Sequence, residues 1–173
     1  SRRLESSRRT SSSNCFERTL YVACISSASV ARATVWAFVS ARCLSLDVAG
    51  VTVKGAGPAA TILSFKGQKS SGEGFLITSN RVTIRDLGVE DSKGDGIKSK
   101  GVDQISFVNL RVEWTGGPKE TNGAYGVYPV ASTNVLIDKV TVSGASDAGI
   151  YVGQSKKIIV KNSTAQFNVA GIE

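Results

Sequence analysis

The chain contains no histidine and no methionine among its 173 residues. Histidine is the usual general base near neutral pH and a frequent zinc ligand, and methionine is a soft ligand for copper. A zinc or copper site is therefore not expected. Any catalysis would have to use Asp, Glu, Lys, Arg or Tyr side chains.

Cysteines and long apolar runs are also scarce. The only cysteines, Cys15, Cys24 and Cys43, lie in the first 43 residues and cannot form a disulfide framework for the rest of the chain. No uncharged apolar run reaches the roughly 18 residues that a membrane span requires. We therefore expect no membrane partner.

The net charge of +7 is unevenly distributed. The first 43 residues contain seven arginines and two acidic residues, whereas the remainder contains fourteen basic and twelve acidic side chains. Because the remainder is nearly neutral, the charge does not predict a nucleic-acid partner.

The first 43 residues differ in composition from the rest, with Ser-Arg-rich sequence before an apolar stretch over residues 20–39. Three interpretations remain open. The stretch is similar to a secretion signal, since residues 31–33 have a small-x-small form after the apolar run. It could instead cap the open edge of a following repeat domain, or it could be out-of-frame sequence.

A repeat runs through the remainder of the chain. Glycines that are followed by an apolar residue recur at spacings of 22, 30, 23 and 22 residues: Gly74, Gly96, Gly126, Gly149 and Gly171. After each of the first four come two further short apolar segments, with no helical period between them. Three short strands per repeat predict an all-β fold, a parallel β-solenoid of about five coils of 22–23 residues that covers residues 44–173. The last coil begins at Gly171, which indicates a fragment cut in mid-coil.

The single 30-residue step places all its extra residues in one corner of the coil. Residues 114–123 contain two glycine clusters and a proline, a composition typical of a loop. Insertions at one corner of a solenoid leave the stacked strands undisturbed and commonly decorate a binding face. We expect residues 114–122 to be dispensable for folding, and Trp114 to wall a groove and contact substrate.

A second ladder supports the same register. The turn between the second and third strands carries Gly55, Asp86, Asn109, Lys139 and Asn162 in successive coils. Asn and Asp tolerate left-handed backbone geometry and can bond one another when they are stacked.

The pattern of Gly-Ile, a short turn and Val-x-Ile-x-Asn-x-x-Val resembles the right-handed, single-stranded parallel β-helix proteins of the pectate-lyase-like superfamily. That superfamily includes pectate and alginate lyases, polygalacturonases, mannuronan epimerases and periplasmic copper-maturation proteins. The resemblance implies a right-handed parallel β-helix in a secreted or periplasmic parent protein, with a polysaccharide as partner. It is specific for the fold and weak for the activity.

Strand alternation predicts an outward column of side chains next to the repeat glycines: Leu76, Lys98, Tyr128, Tyr151 and Glu173. Two stacked tyrosines beside a lysine would make a flat, partly apolar stripe for sugar rings and their carboxylates. The alternative is that the tyrosines only stabilise neighbouring strands.

Residues 90–96 form an acidic segment before the same strand, with Asp95 and Lys100 as further substrate-binding candidates. Hard cations require several oxygen ligands. The segment is short of ligands by itself, so a Ca²⁺ site is an open possibility and no cofactor is predicted.

We therefore expect a domain that recognises or processes a polysaccharide, preferably an acidic one built from uronates. If it is a lyase or epimerase, the resemblance implies that Lys98 or Tyr128 abstracts the proton next to the uronate carboxylate. The competing prediction is a non-enzymatic β-helix that binds sugar or a partner protein through the same face.

Overall fold

A computed structural model describes residues 43–69 and 72–173, so the interpretations of residues 1–42 lie outside the described part. The described residues contain no helix, and hence none that could cross a membrane. The strands are β1 (Leu44–Leu46), β2 (Thr52–Lys54), β3 (Ile62–Ser64), β4 (Phe75–Ile77), β5 (Val82–Glu90), β6 (Ile97–Lys100), β7 (Asp103–Glu113), β8 (Val127–Val130), β9 (Thr133–Ser143), β10 (Ala148–Ile150), β11 (Lys156–Lys161), β12 (Thr164–Gln166) and β13 (Ala170–Ile172).

The strands form two parallel sheets, and each coil of the chain adds to both. The six-stranded sheet has the order β1-β4-β6-β8-β10-β13. The seven-stranded sheet runs β11-β9-β7-β5-β2, with β3 also paired to β5 and β12 to β9. Equivalent residues of successive coils lie side by side, as where Ile97 pairs with both Phe75 and Val127. The predicted parallel β-helix is confirmed.

The second and third predicted strands merge into one bent strand in β5, β7 and β9. The bends fall at Asp86, Asn109 and Lys139, whose φ angles are 57°, 52° and 56°. Asn162 has a φ of 52° at the same position between β11 and β12. Asn109 Nδ2 donates to Asp86 Oδ1 at 2.7 Å, so part of the predicted ladder bonds along the helix. Lys139 shows that the corner does not require an Asn or Asp side chain.

Inward side chains stack in columns that fill the interior. Phe75, Ile97, Val127 and Ile150 form one such column and are all buried. Burial of each large apolar side chain contributes about 1.5–3 kcal/mol. The end coils are less complete, since several of their apolar side chains are half-buried or exposed, including Leu44, Val53, Phe167 and Val169.

None of the repeat glycines has a left-handed φ, so backbone conformation does not explain them. At Gly96 and Gly126 the reason is close packing. A Cβ on Gly126 would overlap Cγ1 of Val142 and lie 2.6 Å from the carbonyl oxygen of Gly149. A Cβ on Gly96 would likewise overlap Val112 and lie 2.6 Å from the carbonyl oxygen of Gly126. At these two glycines the backbone packs directly against the opposite sheet and the next coil.

We predict that Gly126→Ala lowers the stability of the β-helix by about 1–3 kcal/mol or more, because backbone and a buried valine must move to admit the methyl group. Gly171→Ala is the matched control, since a Cβ there meets no atom within 4 Å, and it should change stability by less than about 0.5 kcal/mol. The midpoints of urea unfolding, followed by circular dichroism, measure both. Equal midpoints for the two variants would contradict the packing explanation.

Candidate functional site

Lys98 projects outward from β6 between the buried residues Ile97 and Ser99. Its Nζ donates to Asp95 Oδ2 at 3.0 Å and to Glu73 Oε1 at 3.1 Å. The same ammonium group lies 4.9 Å from the ring centroid of Tyr128, the residue that pairs with Lys98 on β8. One lysine therefore joins two carboxylates and an aromatic ring.

Glu73, Asp95 and Tyr125 occupy one position in successive coils, directly before a repeat glycine. The backbone confirms the alignment: Gly74 N donates to Asp95 O, and Gly96 N donates to Tyr125 O, both at 2.8 Å. Sequence reasoning missed Glu73 and Tyr125 as site residues. The signal that could have identified both is their position directly before a repeat glycine, which they share with Asp95.

Three tyrosines form a contact cluster beside Lys98. The rings of Tyr125 and Tyr151 are stacked, with centroids 4.6 Å apart and an interplanar angle of 16°. Tyr128 lies 4.7 Å from Tyr125 and 5.3 Å from Tyr151, tilted by 58° and 47°. The two predicted tyrosines are thus brought together, but a third ring joins them and the predicted flat stripe is not formed. We call Tyr125, Tyr128 and Tyr151 the tyrosine cluster.

The comparison with known families agrees with the fold described above. The family model described as the right-handed β-helix region matches residues 49–173. The chain belongs to the right-handed β-helix family. No curated protein and no solved structure matches it.

In this β-helix, Lys98 remains a cation. Burial by itself lowers the pKa of its ammonium group, but the hydrogen bonds and charges of Asp95 and Glu73 outweigh that effect and raise the pKa above its usual value. A lysine must lose its proton before it can act as a base. The structure therefore makes Lys98 better suited to hold charge than to accept a proton.

The two carboxylates around Lys98 differ in their affinity for protons. Burial raises the pKa of Asp95, and the hydrogen bond from Lys98 only partly opposes that effect. Burial also acts to raise the pKa of Glu73, but a backbone hydrogen bond and the contact with Lys98 lower it below the usual value. The same lysine therefore contacts one carboxylate whose pKa is raised and one whose pKa is lowered.

Tyr125 extends the site to a further carboxylate. Burial and the negative charge of Asp147 raise the pKa of Tyr125, so the phenol stays neutral and can donate a hydrogen bond.

Trp114 does not line the site. Its side chain is 4% exposed, belongs to the hydrophobic core and donates from Nε1 to the carbonyl oxygen of Ser92 at 2.6 Å. The expected groove wall and substrate contact are therefore wrong for this residue. At the other end of the insertion, Asn122 Nδ2 donates to Gly117 O at 2.9 Å and Gly144 O at 2.6 Å, so residues 114–122 are not merely a surface loop.

Lys100 is exposed on β6, two residues beyond Lys98, and so projects from the same side of the strand. Its charge acts on Glu73 and helps to lower the pKa of that carboxyl. Lys100 thus stands at the edge of the site.

The acidic segment of residues 90–96 is divided among separate partners. Glu90 pairs with Arg111, Asp91 accepts from Thr115, and Asp95 accepts from Lys98. Within residues 43–69 and 72–173, no three carboxylate or cysteine side chains are grouped as metal ligands.

We predict that Trp114→Ala destabilises the β-helix by about 3–5 kcal/mol, because a large buried ring is replaced by a cavity and Ser92 loses its donor. Lys119→Ala, an exposed change in the same insertion, should have little effect. Thermal unfolding of both variants provides the measurement. A Trp114 variant as stable as the parent would place the ring outside the core.

We also predict that Lys98→Ala raises the pKa of both Glu73 and Asp95, because each carboxylate loses a hydrogen-bond donor and a neighbouring positive charge. Lys100→Ala should raise the pKa of Glu73 less and leave Asp95 unchanged, since Lys100 acts on Glu73 through charge alone. Carboxyl-carbon NMR shifts followed against pH report each group. Unmoved titrations in Lys98→Ala would show that the three groups do not interact in solution.

Proposed function

We propose that this β-helix binds a polysaccharide along the outward side of β6, β8 and β10. The observation that carries the proposal is the tyrosine cluster next to the group formed by Lys98, Asp95 and Glu73. Each tyrosine is only partly buried, so ring surface remains accessible to a ligand.

The two halves of the site supply the two kinds of contact that a sugar requires. Aromatic rings offer an apolar surface with a polar hydroxyl at its edge, which suits the apolar side and the hydroxyl rim of a pyranose. The carboxylates accept strong hydrogen bonds from hydroxyl groups. Because equivalent positions recur in each coil, the contacts extend along the solenoid axis and favour a polymer over a single sugar.

The preference for uronates remains a prediction. It depends on attraction between the Lys98 ammonium group and the carboxylate of the sugar. In the folded chain that ammonium group already donates to two carboxylates, so a uronate would have to displace one of them. Lys100 is the further cation on this side of β6. A direct comparison of acidic and neutral glycans decides the preference.

A lyase or epimerase is the second candidate, and one observation favours Tyr128 as its base. The Lys98 ammonium group lies over the Tyr128 ring. Because Asp95 and Glu73 keep Lys98 protonated, Tyr128 is the remaining one of the two expected bases. Such an enzyme would act in a secreted or periplasmic parent protein. Incubation with pectate or alginate, followed by the absorbance of an unsaturated product or by NMR of epimerised residues, tests the activity. Its loss in Tyr128→Phe would then assign the base.

We predict that Tyr128→Ala and Tyr151→Ala each weaken the binding of a glycan oligomer by about two- to tenfold, because each removes an aromatic contact surface. The loss should persist at high salt, since stacking is not screened. Tyr151→Phe should retain most of the affinity because it keeps the ring. Isothermal titration calorimetry measures all three variants.

The matched control is Phe167→Ala, which removes an aromatic ring that is 70% exposed and lies outside the tyrosine cluster. This change should leave affinity unaltered. Equal losses for Phe167→Ala and Tyr151→Ala, or no binding by the parent chain to any oligomer, would contradict the proposed face. The tyrosines would then only stabilise the packing of neighbouring strands. The alternative function, a β-helix scaffold that binds a partner protein, would be favoured.

A further inference from the structure

The tyrosine cluster is bordered by carboxylates at both of its ends. Glu73 and Asp95 lie at the Lys98 end. Asp147 N donates to Ala124 O at 3.1 Å, which places Asp147 beside Tyr125 in the next coil. At the other end, Glu173 N donates to Ile150 O at 3.0 Å and Glu173 O accepts from Val152 N at 2.8 Å, so Glu173 lies alongside Tyr151.

The cations at this face are fewer. Lys98 and Lys100 are the lysines on β6, and Lys98 is shared by two carboxylates. Among these side chains, the carboxylates of Glu73, Asp95, Asp147 and Glu173 outnumber the two ammonium groups. The net charge of this set is therefore negative, although the whole chain is positive. A negative local potential concentrates cationic ligands and repels anionic ones.

The tyrosine rings determine how a ligand can approach. Their centroids are 4.6–5.3 Å apart, so the rings contact one another and leave no space for a group between them. A ligand must lie across their outer surfaces. Such a surface attracts a cation through the electron-rich face of the ring, and Lys98 over Tyr128 is an internal example of that contact.

We infer that this face selects saccharides that carry protonated amines over saccharides that carry carboxylates. The inference rests on the proposed polysaccharide-binding function and specifies its substrate class. An amino sugar would stack on the tyrosine cluster while its ammonium group approaches the carboxylates at either end. A uronate would meet those carboxylates with the same sign of charge.

The test compares hexamers of glucosamine, glucose and galacturonate, titrated calorimetrically into the full chain at a pH where the glucosamine amines are protonated. We expect the glucosamine hexamer to bind at least about threefold more tightly than the glucose hexamer, and the galacturonate hexamer more weakly than either. Added salt should reduce these differences because the charges are partly exposed.

Variants that neutralise single carboxylates test whether these residues cause the preference for glucosamine. Glu73→Gln and Asp147→Asn should each reduce the ratio of glucosamine to glucose affinity by about twofold or more, because each removes one negative charge and keeps a side chain of the same shape. Asp138→Asn is the matched control, because this carboxylate lies on β9 in the seven-stranded sheet and contacts Lys161 and Asn162. It should leave the ratio unchanged.

The outcomes separate this inference from the function on which it rests. If glucose hexamer binds in a tyrosine-dependent way but galacturonate binds as tightly as glucosamine, the inference is overturned and the proposed function stands. An amine preference that survives in both Glu73→Gln and Asp147→Asn also overturns it. Absence of binding by all three hexamers overturns the proposed function, and the inference with it.

Discussion

The fold depends on the close approach of each coil to the next at the repeat glycines. Where Gly96 and Gly126 pass, the space that a Cβ would need is already filled by a valine of the opposite sheet and by a carbonyl oxygen of the next coil. This contact brings the two sheets close enough for their inward columns to interdigitate. Without it the buried side chains of β5, β7 and β9 could not pack against those of β4, β6 and β8.

The same contact aligns the residues of the candidate site. Since the glycines hold the coils in register, the residues before them stack as Glu73, Asp95 and Tyr125, and those two positions after them stack as Lys98, Tyr128 and Tyr151. Two columns that are three residues apart in sequence thereby become one surface. Parallel strands are rigid supports, so the side chains are held in place before any ligand arrives.

The Lys98 group would favour the proposed binding and oppose one form of catalysis. Partial burial of an ammonium group is unfavourable unless it is paired, and Asp95 and Glu73 supply the pairing. That pairing keeps the lysine protonated and uses its hydrogen bonds. The site thus offers carboxylate acceptors and aromatic surface to a ligand, rather than a free amine to a proton.

The sequence by itself determined the parallel β-helix, its register and the outward column of Lys98, Tyr128 and Tyr151. Strand alternation and the recurring Gly-apolar step can both be read directly along the chain. Only the tertiary structure decided which residues join that column. Glu73 and Tyr125 reach it from neighbouring coils, and the direction of a side chain at a corner depends on what packs beside it. The prediction for Trp114 was wrong for the same reason. A loop composition predicts an exposed side chain, but this ring is buried in the core and its Nε1 donates to the carbonyl oxygen of Ser92. Such long-range packing is not encoded in any short segment of sequence.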